Sequence, residues 1–525
     1  MTAPSALLLP LDLLPRLCTS REMRRWENKA IESLGKSGRL LMENAASAVK
    51  KHVIDLLHDV DGPGPVVVCC GAGNNGGDGY AVARLVHNHG LEVTVIRVGE
   101  PASADARANA EAWSGLGETI DFLRSRAQAT AALEGAGAVV DAIFGTGLNR
   151  PVTGEAAELI QLINSASSQL KVAVDLPSGV NSDTGGVTQD AVRCTHTVSF
   201  QAPKLGCYQY PGMGYTGRVL VEDIAIPVEW EGGDPATYLL NQVFAQALLP
   251  ERPLDGHKGT FGHLLAICGS AGMGGSALLA GLAALKTGTG LVTVGVPRLL
   301  RDGFLKAAPE LMTLSPEAGD TSKFEQAHAP FFLEAARSRS AVVLGCGLGQ
   351  SPGTQALVKE LTAGLDMPLL IDADGLNALD GTALTSRAWP TVITPHPGEF
   401  LRLSGLSKED LSGDRVGHAR RLAMEWGVVL VLKGAGSIIA APSGEIFINS
   451  TGDAGLATAG TGDVLSGIVG GLLAQGITAL EAALLGVFLH GLARDCSREE
   501  ISGRYFSAQD LIEGLNAAFL NLGDS

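Results

Sequence analysis

Residues 65–79 read Pro-Val-Val-Val-Cys-Cys-Gly-Ala-Gly-Asn-Asn-Gly-Gly-Asp-Gly, an apolar run that leads directly into a glycine-rich turn. The apolar run Pro65–Cys70 predicts a buried strand, and the pattern after the turn predicts a helix over Tyr80–His89. Glycines between a strand and a helix allow backbone amides to approach a phosphate at the helix N-terminus. The stretch therefore predicts a strand–turn–helix unit of an α/β domain, with a ligand bound at the turn.

The glycine-rich turn departs from an ordinary dinucleotide-binding fingerprint at two points. Asp78 occupies the place where an anionic phosphate would lie, and Asn74 and Asn75 supply side-chain amides that an ordinary dehydrogenase does not need. These differences favour a specialised ligand loop. From the residues alone, a glycine turn with an aspartate that caps the helix is the alternative.

Strand-like runs alternate with helical patterns along most of the 525 residues, which predicts two α/β domains with parallel sheets covered on both faces. The alternation lapses between Ile226 and His257, where residues 229–235 are polar and rich in turn formers. We therefore place a domain boundary near residues 230–250, and we expect the leading residues to be a loose extension. The predicted strands are Pro65–Cys70, Glu92–Val98, Ala138–Asp141, Lys171–Asp175, Thr195–Phe200, His263–Cys268, Leu291–Val296, Ala341–Leu344, Pro368–Ile371, Thr391–Ile393 and Val428–Leu432.

The composition excludes several classes of protein. Hydrophobic residues make up 46% of the chain and charged residues 18%, so the chain is able to bury sizeable cores and is not disordered. The net charge of −16 argues against a non-specific nucleic-acid surface, which requires a basic face. The eight cysteines form no Cys-x-x-Cys pair, so we expect buried free thiols in a reducing cytoplasm. The uncharged stretch Val464–Leu480 is shorter than the ~20 apolar residues of a membrane span and predicts a buried core helix.

Two acidic residues end predicted strands in the first half of the chain. Asp141 precedes Ala-Ile-Phe-Gly-Thr-Gly, and Asp175 precedes Leu-Pro-Ser-Gly. Because ligands of open α/β sheets bind beyond the carboxyl ends of the strands, we expect these side chains to share one site with the glycine-rich turn. Oxygen atoms of Asn75, Asp141 and Ser178 suit a hard cation. Lys204 is either the basic partner of this site or a solvated lysine in a turn.

A second glycine-rich stretch lies in the second half. Residues 452–467 read Gly-Asp-Ala-Gly-Leu-Ala-Thr-Ala-Gly-Thr-Gly-Asp-Val-Leu-Ser-Gly and enter an apolar helix. Backbone amides at the start of a helix stabilise charge that develops on a phosphate. Asp463 follows Gly-Thr-Gly and is suited to accept a proton from an attacking hydroxyl, which points to phosphoryl transfer. A plain helix cap is the alternative role, and the two roles are compatible.

Three further motifs end predicted strands of the second half. Residues 433–437, Lys-Gly-Ala-Gly-Ser, combine a positive charge with small residues that admit an adenine nucleotide, although a lysine at a strand end is more often solvated. His396 lies between two prolines and is rigidly presented, whereas a lone histidine in a loop is usually structural. Residues 345–349, Gly-Cys-Gly-Leu-Gly, suit close backbone contact with a ligand.

The first-half motifs, together with Leu-Met-Glu-Asn-Ala-Ala at 41–46, resemble the NAD(P)HX epimerase domain. The resemblance implies a Rossmann-like three-layer αβα domain, which we place over residues 18–235 after an N-terminal extension over 1–17. It also implies a potassium ion held by Asn75, Asp141 and Ser178, and we expect Asp175 and Lys204 to be catalytic. The implied substrate-binding residues are Asn74, Asn75, Gly76, Gly77, Asp78, Gly145, Thr146, Gly147, Leu148, Asn149, Arg150, Pro151 and Asp175.

The second-half motifs resemble the ribokinase-like superfamily, and more closely its ADP/ATP-dependent NAD(P)HX dehydratase branch, over residues 240–520. They include His-Lys-Gly-Thr-Phe-Gly-His at 257–263 and Ala-Gly-Thr-Gly-Asp-Val-Leu-Ser-Gly at 459–467. Cys346, Ser276 and Asp453 depart from the proline, alanine and asparagine common in the family. The resemblance implies contacts to the hydrated cofactor from Ser276, Gly349, His396 and Asp463, and contacts to the adenine nucleotide from Lys433, Gly434, Ala435, Gly436, Ser437 and Gly462.

Together the motifs predict a bifunctional enzyme that repairs hydrated nicotinamide dinucleotides. The first domain would interconvert (R)- and (S)-NAD(P)HX, and the second would dehydrate (S)-NAD(P)HX to NAD(P)H at the expense of ADP or ATP, giving AMP or ADP and phosphate. The alternative is a small-molecule or vitamin kinase of ribokinase type with an N-terminal nucleotide-binding module. We expect a potassium ion in the epimerase domain, Mg²⁺ in the dehydratase domain, a homo-oligomer in the cytoplasm, and no nucleic-acid or membrane partner.

Overall fold

The computed structural model describes residues 9–35, 37–59, 64–148, 150–227 and 236–523. These residues divide into two compact units. The first unit runs from Pro15 to Thr237, and the second runs from Tyr238 onward and includes the residues up to Leu14. Asn149 and the polar segment 229–235 lie outside the described residues.

The first unit alternates strands and helices along the chain. Its strands are β1 (Arg16–Leu17), β2 (Val66–Cys70), β3 (Val93–Arg97), β4 (Glu118–Asp121), β5 (Ala138–Ala142), β6 (Leu170–Val174), β7 (His196–Phe200) and β8 (Arg218–Glu222). Its helices are α1 (Ser20–Leu34), α2 (Gly38–His58), α3 (Asn74–Asn88), α4 (Ala104–Trp113), α5 (Arg126–Glu134), α6 (Glu155–Ser165) and α7 (Met213–Thr216). Seven strands form a parallel sheet in the order β4-β3-β2-β5-β6-β7-β8. Because the strand order reverses between β2 and β5, a ligand site is expected at the carboxyl ends of these two strands.

Both faces of this sheet are buried, as the continuous apolar runs predict. On β2, Val66, Val68 and Cys70 belong to an apolar core with α2 and α3, whereas Val67 and Cys69 belong to a second core with α5 and α6. Successive side chains of a strand point to opposite faces, so one apolar run serves both cores. The result is a three-layer αβα arrangement, which confirms the expected fold class.

The turn after β2 accepts only glycine at two positions. A Cβ atom on Gly71 would lie 2.0 Å from the carbonyl oxygen of Ile143, and a Cβ atom on Gly76 would lie 1.8 Å from the carbonyl oxygen of Gly71. This close packing brings the start of α3 against the end of β5. Helix α3 consequently begins at Asn74, inside the turn, and earlier than the helix predicted over Tyr80–His89.

The second unit is also built on a largely parallel sheet. Its strands are β9 (Thr237–Leu239), β10 (His263–Ile267), β11 (Leu291–Gly295), β12 (Met312–Leu314), β13 (Ala341–Leu344), β14 (Leu369–Ile371), β15 (Thr391–Ile393), β16 (Val429–Leu432), β17 (Ile438–Ala440) and β18 (Ile446–Ile448). They lie in the order β9-β18-β17-β16-β15-β14-β13-β10-β11-β12. The pairs from β16 to β12 are parallel, whereas β17 pairs antiparallel with β16 and β18. The strand order reverses between β10 and β13, so a ligand site is expected at their carboxyl ends.

The helices of the second unit cover this sheet and bury apolar side chains against it. They are α8 (Gln242–Ala247), α9 (Gly274–Lys286), α10 (Arg301–Ala307), α11 (Ala329–Ala336), α12 (Pro352–Gly364), α13 (Asp374–Asn377), α14 (Gly381–Thr385), α15 (Pro397–Ser404), α16 (Lys408–Gly413), α17 (Arg415–Trp426), α18 (Thr461–Ala474), α19 (Ala479–Cys496) and α20 (Ala508–Asn521). Helix α18 is buried as the stretch Val464–Leu480 predicts, but it ends at Ala474 because Gly476 takes a positive φ of 93°. Within the described residues, no helix combines the length and the apolarity that a membrane span requires.

The eleven predicted strands are all present, and their observed ends differ from the predicted ends by at most one residue. The cysteines are free thiols, and all except the partly exposed Cys496 are buried, as expected. The prediction missed β4 and β8, whose polar residues mask a strand pattern, the two-residue strand β1, and the three-residue strands β9, β12, β17 and β18. A three-residue strand is too short for a period of two to be recognised.

Residues 9–14, which we expected to be a loose extension, pack within the second unit. Leu14 is buried in its core, and Leu9, Leu11 and Leu13 pack against the same cluster. The carbonyl oxygen of Leu13 accepts a hydrogen bond of 2.8 Å from Nδ2 of Asn241, whose Oδ1 caps α8. Residues 9–14 are therefore part of the second unit's fold.

We predict that Leu14→Ala lowers the free energy of unfolding of the second unit by about 2–3 kcal/mol, because it removes a buried leucine side chain from the core. Asp12→Ala, an exposed neighbour, serves as the control and should change it by less than about 0.5 kcal/mol. Denaturant unfolding measures both values. Equal stability of the two variants would show that this segment does not support the second unit.

Candidate functional site

Asp141 and Ser178 are joined at the carboxyl edge of the first sheet. The buried Asp141 carboxylate accepts hydrogen bonds from the Ser178 amide at 2.7 Å and from the Ser178 hydroxyl at 2.6 Å. The Ile143 amide donates a third bond of 3.2 Å. Burial raises the pKa of Asp141 to about 6, although these bonds act against the increase. The pair fastens the end of β5 to the loop that follows β6.

Asn75 completes the set of three residues that we expected to hold a potassium ion. A Cβ atom on Gly145 would lie 3.0 Å from Oδ1 of Asn75, so the Asn75 side chain packs against the segment that follows β5. The amide of Phe144, next to Gly145, donates a hydrogen bond of 2.8 Å to the Ser178 hydroxyl. Within the described part of the chain, the buried Nδ2 atom of Asn75 has no hydrogen-bond partner. All three residues therefore converge on the segment 143–145, and the side-chain amide of Asn75 is available to a ligand.

Asp175 and Lys204 form a buried ion pair at the end of β6. Their atoms Oδ1 and Nζ lie 2.5 Å apart, and Nζ also donates a hydrogen bond of 2.7 Å to the carbonyl oxygen of Phe200. Burial alone would lower the pKa of Lys204, but the carboxylate of Asp175 outweighs it and the pKa is raised. Asp175 takes a positive φ of 68°, which is rare for a residue with a side chain and is held here by the Phe200 amide at 3.0 Å. Lys204 is fully buried, so the alternative of a solvated lysine is wrong.

Two more carboxyl groups lie near this ion pair. Burial, followed by the negative charges of Asp175 and Glu27, raises the pKa of Asp78 well above its usual range. Burial and the charge of Asp175 likewise raise the pKa of Glu27 to about 7, while Lys204 acts in the opposite direction. Glu27 lies on α1 and was missed from the sequence. Its signal was an acidic residue at helical spacing from the buried Met23 and Ala30.

A cleft with about 330 Å³ of empty space lies in the first unit, between the segment after β5 and the loop after β6. Leu148, Arg150 and Pro151, which we expected to bind substrate, line one side of the cleft. The remaining lining residues come from the loop after β6 and were not predicted; they are Gly179, Asn181, Gly186 and Thr188.

Asp463 lies in the first turn of α18, at the carboxyl edge of the second sheet. Burial raises the pKa of its carboxyl group, and the charge of Asp372 adds to the increase. Hydrogen bonds from Ser276 and Cys346 act against it. The carboxyl group is half-buried and suited to exchange a proton with a bound hydroxyl.

Lys433 lies between the end of β16 and the start of α18. Its Nζ atom donates a hydrogen bond of 2.7 Å to the buried carboxylate of Asp372, whose other oxygen accepts one of 2.6 Å from Ser466. Burial would lower the pKa of Lys433, but the carboxylates of Asp372 and Glu399 outweigh it. A Cβ atom on Gly462 would lie 3.6 Å from Nζ, so a fixed ammonium group stands beside a helix N-terminus. This arrangement suits the phosphates of a nucleotide.

His396 caps helix α15. Its Nδ1 atom accepts hydrogen bonds from the amides of Gly398 and Glu399 at 3.0 and 3.4 Å, and its Nε2 atom lies 3.3 Å from Oε1 of Glu399. The imidazole remains 56% exposed, so one face is open to a ligand. Gly349 has a positive φ of 79°, and its amide donates a hydrogen bond of 2.8 Å to Asp374.

Arg415 and His490 were missed from the sequence. Nη1 of Arg415 lies 3.4 Å from the carbonyl oxygen of Ala435, and a Cβ atom on Gly434 would lie 3.0 Å from Nη2. Burial lowers the pKa of Arg415 with no contribution from a carboxylate. His490 is 2.9 Å from the carbonyl oxygen of Thr461 and supports the start of α18; burial lowers its pKa to about 4. Both residues are distant in sequence from the motifs that they contact.

Each unit thus has a parallel sheet whose carboxyl edge combines a glycine-rich helix N-terminus with a buried lysine–aspartate pair. The fold and these two sites define a nucleotide-binding α/β enzyme with two active sites, one of which has the donor set for phosphoryl transfer.

Comparisons with known proteins match both halves of the chain. A family described as NAD(P)H-hydrate dehydratase matches residues 264–516, and one described as YjeF-related protein N-terminus matches residues 38–206. The bifunctional NAD(P)H-hydrate repair enzyme Nnr of Moorella thermoacetica is 40% identical over 515 residues, which cover 96% of this chain and 97% of the relative. The enzyme of the same name from Escherichia coli is 35% identical over 499 residues, which cover 94% and 92%. Among solved structures, the ADP/ATP-dependent NAD(P)H-hydrate dehydratase from Bacillus subtilis is 31% identical and covers 54% of this chain and 97% of its own, with a TM-score of 0.46.

The chain belongs to the family of bifunctional NAD(P)H-hydrate repair enzymes, because relatives above 30% identity cover nearly all of it. It combines an epimerase domain and a dehydratase domain. This result confirms the predicted function and disfavours the alternative of a vitamin kinase with a binding module.

We predict that Lys204→Met lowers the free energy of unfolding of the first unit by about 3–5 kcal/mol, because it leaves the carboxylate of Asp175 buried without a partner. Arg126→Met, which breaks the exposed Arg126–Glu158 pair, is the control and should change the free energy of unfolding by less than about 1 kcal/mol. Denaturant unfolding at neutral pH compares the two. Similar stabilities would mean that the Lys204–Asp175 pair does not stabilise the first unit.

Proposed function

We propose that the first unit interconverts (R)- and (S)-NAD(P)HX around Asp175, and that the second unit dehydrates (S)-NAD(P)HX around Asp463 with ADP or ATP as phosphate donor. The observation that carries this proposal is the presence, in each unit, of a buried lysine–aspartate pair beside a glycine-rich helix N-terminus. The two reactions complement each other, because a dehydratase for one epimer would strand the other.

In the second unit, Asp463 accepts the proton of the substrate hydroxyl as the hydroxyl oxygen attacks the terminal phosphorus of the nucleotide. The bond between the terminal phosphorus and the bridging oxygen breaks and releases AMP from ADP, or ADP from ATP. The amide of Gly462 and the ammonium of Lys433 stabilise the charge on the transferred group. The phosphate group of the new ester then leaves as inorganic phosphate with the electron pair of the C–O bond. The lone pair of the ring nitrogen assists its departure. Loss of a proton from the neighbouring carbon restores the double bond of NAD(P)H.

The contacts to the two substrates of the second unit follow from the positions of the motifs. Ser276, Gly349 and His396 face the same edge as Asp463 and are proposed to hold the hydrated dinucleotide. The turn at residues 433–437 is proposed to hold the adenine nucleotide, with Arg415 as an additional cation beside it. The turn is folded by hydrogen bonds between Ser437 and Gly434 at 2.8 and 3.3 Å, which leaves its outer surface free of bulky side chains.

The chemistry of both sites is compatible with metal ions. The buried carboxyl groups of Asp372 and Glu399 supply the oxygen ligands that Mg²⁺ prefers, and a bound Mg²⁺ would neutralise phosphate charge. The side chains of Asn75, Asp141 and Ser178 suit a potassium ion near the dinucleotide. The unpartnered amide of Asn75 supports this assignment, because the oxygen and nitrogen of an amide are exchanged by a simple flip.

In the first unit, the carbon that carries the hydroxyl is bonded to the ring nitrogen. Protonation of the hydroxyl and cleavage of the C–O bond release water and leave a cation shared by that carbon and the nitrogen. The carboxylate of Asp175, held in place by its ion pair with Lys204, stabilises this cation. Water then adds to the opposite face and loses a proton, which completes the inversion. The loop Asn74–Asp78 and the cleft beside Arg150 are proposed to hold the dinucleotide.

The remaining assignments are the cellular location and the assembly. All eight cysteines are free thiols, which suits a reducing compartment, and the cytoplasm is the proposed location. A homo-oligomer is the proposed assembly.

Asp463→Asn is expected to slow recovery of NADH from (S)-NADHX with ADP by about 10²–10⁴-fold, because the amide does not accept the hydroxyl proton. The rate of (R)-to-(S) conversion should remain that of the wild type. Nicotinamide absorbance follows the first reaction, and chromatographic separation of the epimers follows the second. A folded variant with a wild-type rate of dehydration would show that another group is the base.

Asp175→Asn is expected to give the opposite pattern. Conversion of (R)-NADHX to (S)-NADHX should slow by about 10²-fold or more, because the cation in the ring loses its counter-charge. Dehydration of pure (S)-NADHX should not change. Asp55→Asn, an exposed position on α2, is the matched control. Normal epimerisation by Asp175→Asn would move the catalytic role to another residue of the site.

A further inference from the structure

Helix α1 is fastened to the segment that carries Lys204. Cys18, directly before the helix, exchanges backbone hydrogen bonds of 3.0 Å with Pro203 and Leu205. The amide and hydroxyl of Ser20 donate hydrogen bonds of 2.6 and 2.8 Å to Asp183, in the loop after β6. A capping box formed by Thr19 and Glu22 fixes the first turn of the helix. The position of α1 over the epimerase site is therefore set by contacts at its own start.

Glu27 lies on the buried face of this helix. Met23 and Ala30 precede and follow it at spacings of four and three residues, and both are buried, as is the adjacent Trp26. The Glu27 side chain is half-buried. Within the described residues, no hydrogen bond or ion pair is found for its carboxyl group. A carboxyl group in this position is costly to bury in ionised form, and nothing in the local packing requires it.

The groups that face Glu27 come from three other elements. Asp78 lies on α3, Asp175 follows β6, and Lys204 follows β7; Arg24 lies on α1 itself. The charge of Asp175, which is paired with Lys204, thus acts on the carboxyl groups of both Glu27 and Asp78. Burial and the charge of Asp175 raise the pKa of Glu27 to about 7, so the pocket retains a transferable proton near neutral pH.

We propose that Glu27 is the acid–base residue of the epimerase site, because α1 holds its carboxyl group over the same cluster as Asp78, Asp175 and Lys204. This inference rests on the proposed function of the first unit. The protonated carboxyl group of Glu27 donates its proton to the substrate hydroxyl, and the C–O bond breaks with release of water. The lone pair of the ring nitrogen forms the C=N bond of the cation. Water then adds to the opposite face and loses its proton to solvent, and the Glu27 carboxylate regains a proton from solvent, so the residue is regenerated.

Glu27→Gln in the full-length chain tests this inference. We expect conversion of pure (R)-NADHX to (S)-NADHX to slow by about 10²–10⁴-fold, because glutamine carries no transferable proton. Dehydration of pure (S)-NADHX should be unchanged. Glu32→Gln, an exposed position on the same helix, is the matched control and should epimerise at the wild-type rate.

The pH profile separates catalysis from a structural role. The wild-type rate of epimerisation should fall as the pH rises through about 7, because Glu27 loses the proton that it donates. Glu27→Asp should epimerise more slowly than the wild type, but its rate should still fall as the pH rises. The residual rate of Glu27→Gln should not show this fall. A folded Glu27→Gln with a wild-type rate and profile would overturn the inference and leave the proposed function intact. If Glu27→Gln does not fold, a Glu27→Asp profile without the fall would overturn it. A wild-type chain that does not epimerise the hydrates would instead overturn the proposed function.

Discussion

Each sheet carries one buried lysine–aspartate pair at its carboxyl edge, and both sites are arranged around these pairs. Lys204 and Asp175 lie 2.5 Å apart in the first unit, and Lys433 and Asp372 lie 2.7 Å apart in the second. A buried charge costs several kcal/mol unless a partner lies in good geometry, so the strand ends that carry these residues must be held rigidly. The parallel strands meet this requirement. Each is paired with its neighbours, and their carboxyl ends lie at one edge of the sheet. The glycine-rich helix starts then place backbone amides beside the fixed charges.

Much of the fold and of the two sites could be predicted from the sequence. Apolar runs revealed the central strands. Polar motifs at the ends of these strands revealed Asp141 and Asp175, and the Gly-Thr-Gly turn before an apolar helix revealed Asp463, because these signals are local. Glu27 and Arg415 could not be found in this way. Each reaches its site from an element that is distant along the chain, so only the packing of α1 and α17 places it there. The short strand β12 was missed for a different reason, since three residues carry no usable period.

Asp453, at which we expected a departure from the family pattern, has partners within the chain. Its carboxylate caps the turn before α18 and lies 2.8 Å from Nε of the buried Arg494. Arg498 adds a second contact to the same carboxylate at 3.3 Å. The negative charge at position 453 is therefore paired within the chain.

The central claim is that the two reactions belong to separate sites that communicate through a released epimer. A mixing experiment tests it most directly: the Asp175→Asn chain and the Asp463→Asn chain are combined in equal amounts with pure (R)-NADHX and ADP, and recovery of NADH is measured against each variant alone. We predict that each variant alone recovers NADH slowly, the Asp175→Asn chain at its reduced rate of epimerisation and the Asp463→Asn chain at its reduced rate of dehydration, whereas the mixture recovers it at a rate set by the intact site of each chain. A mixture that remains as slow as the single variants, although both chains are folded, would contradict the account.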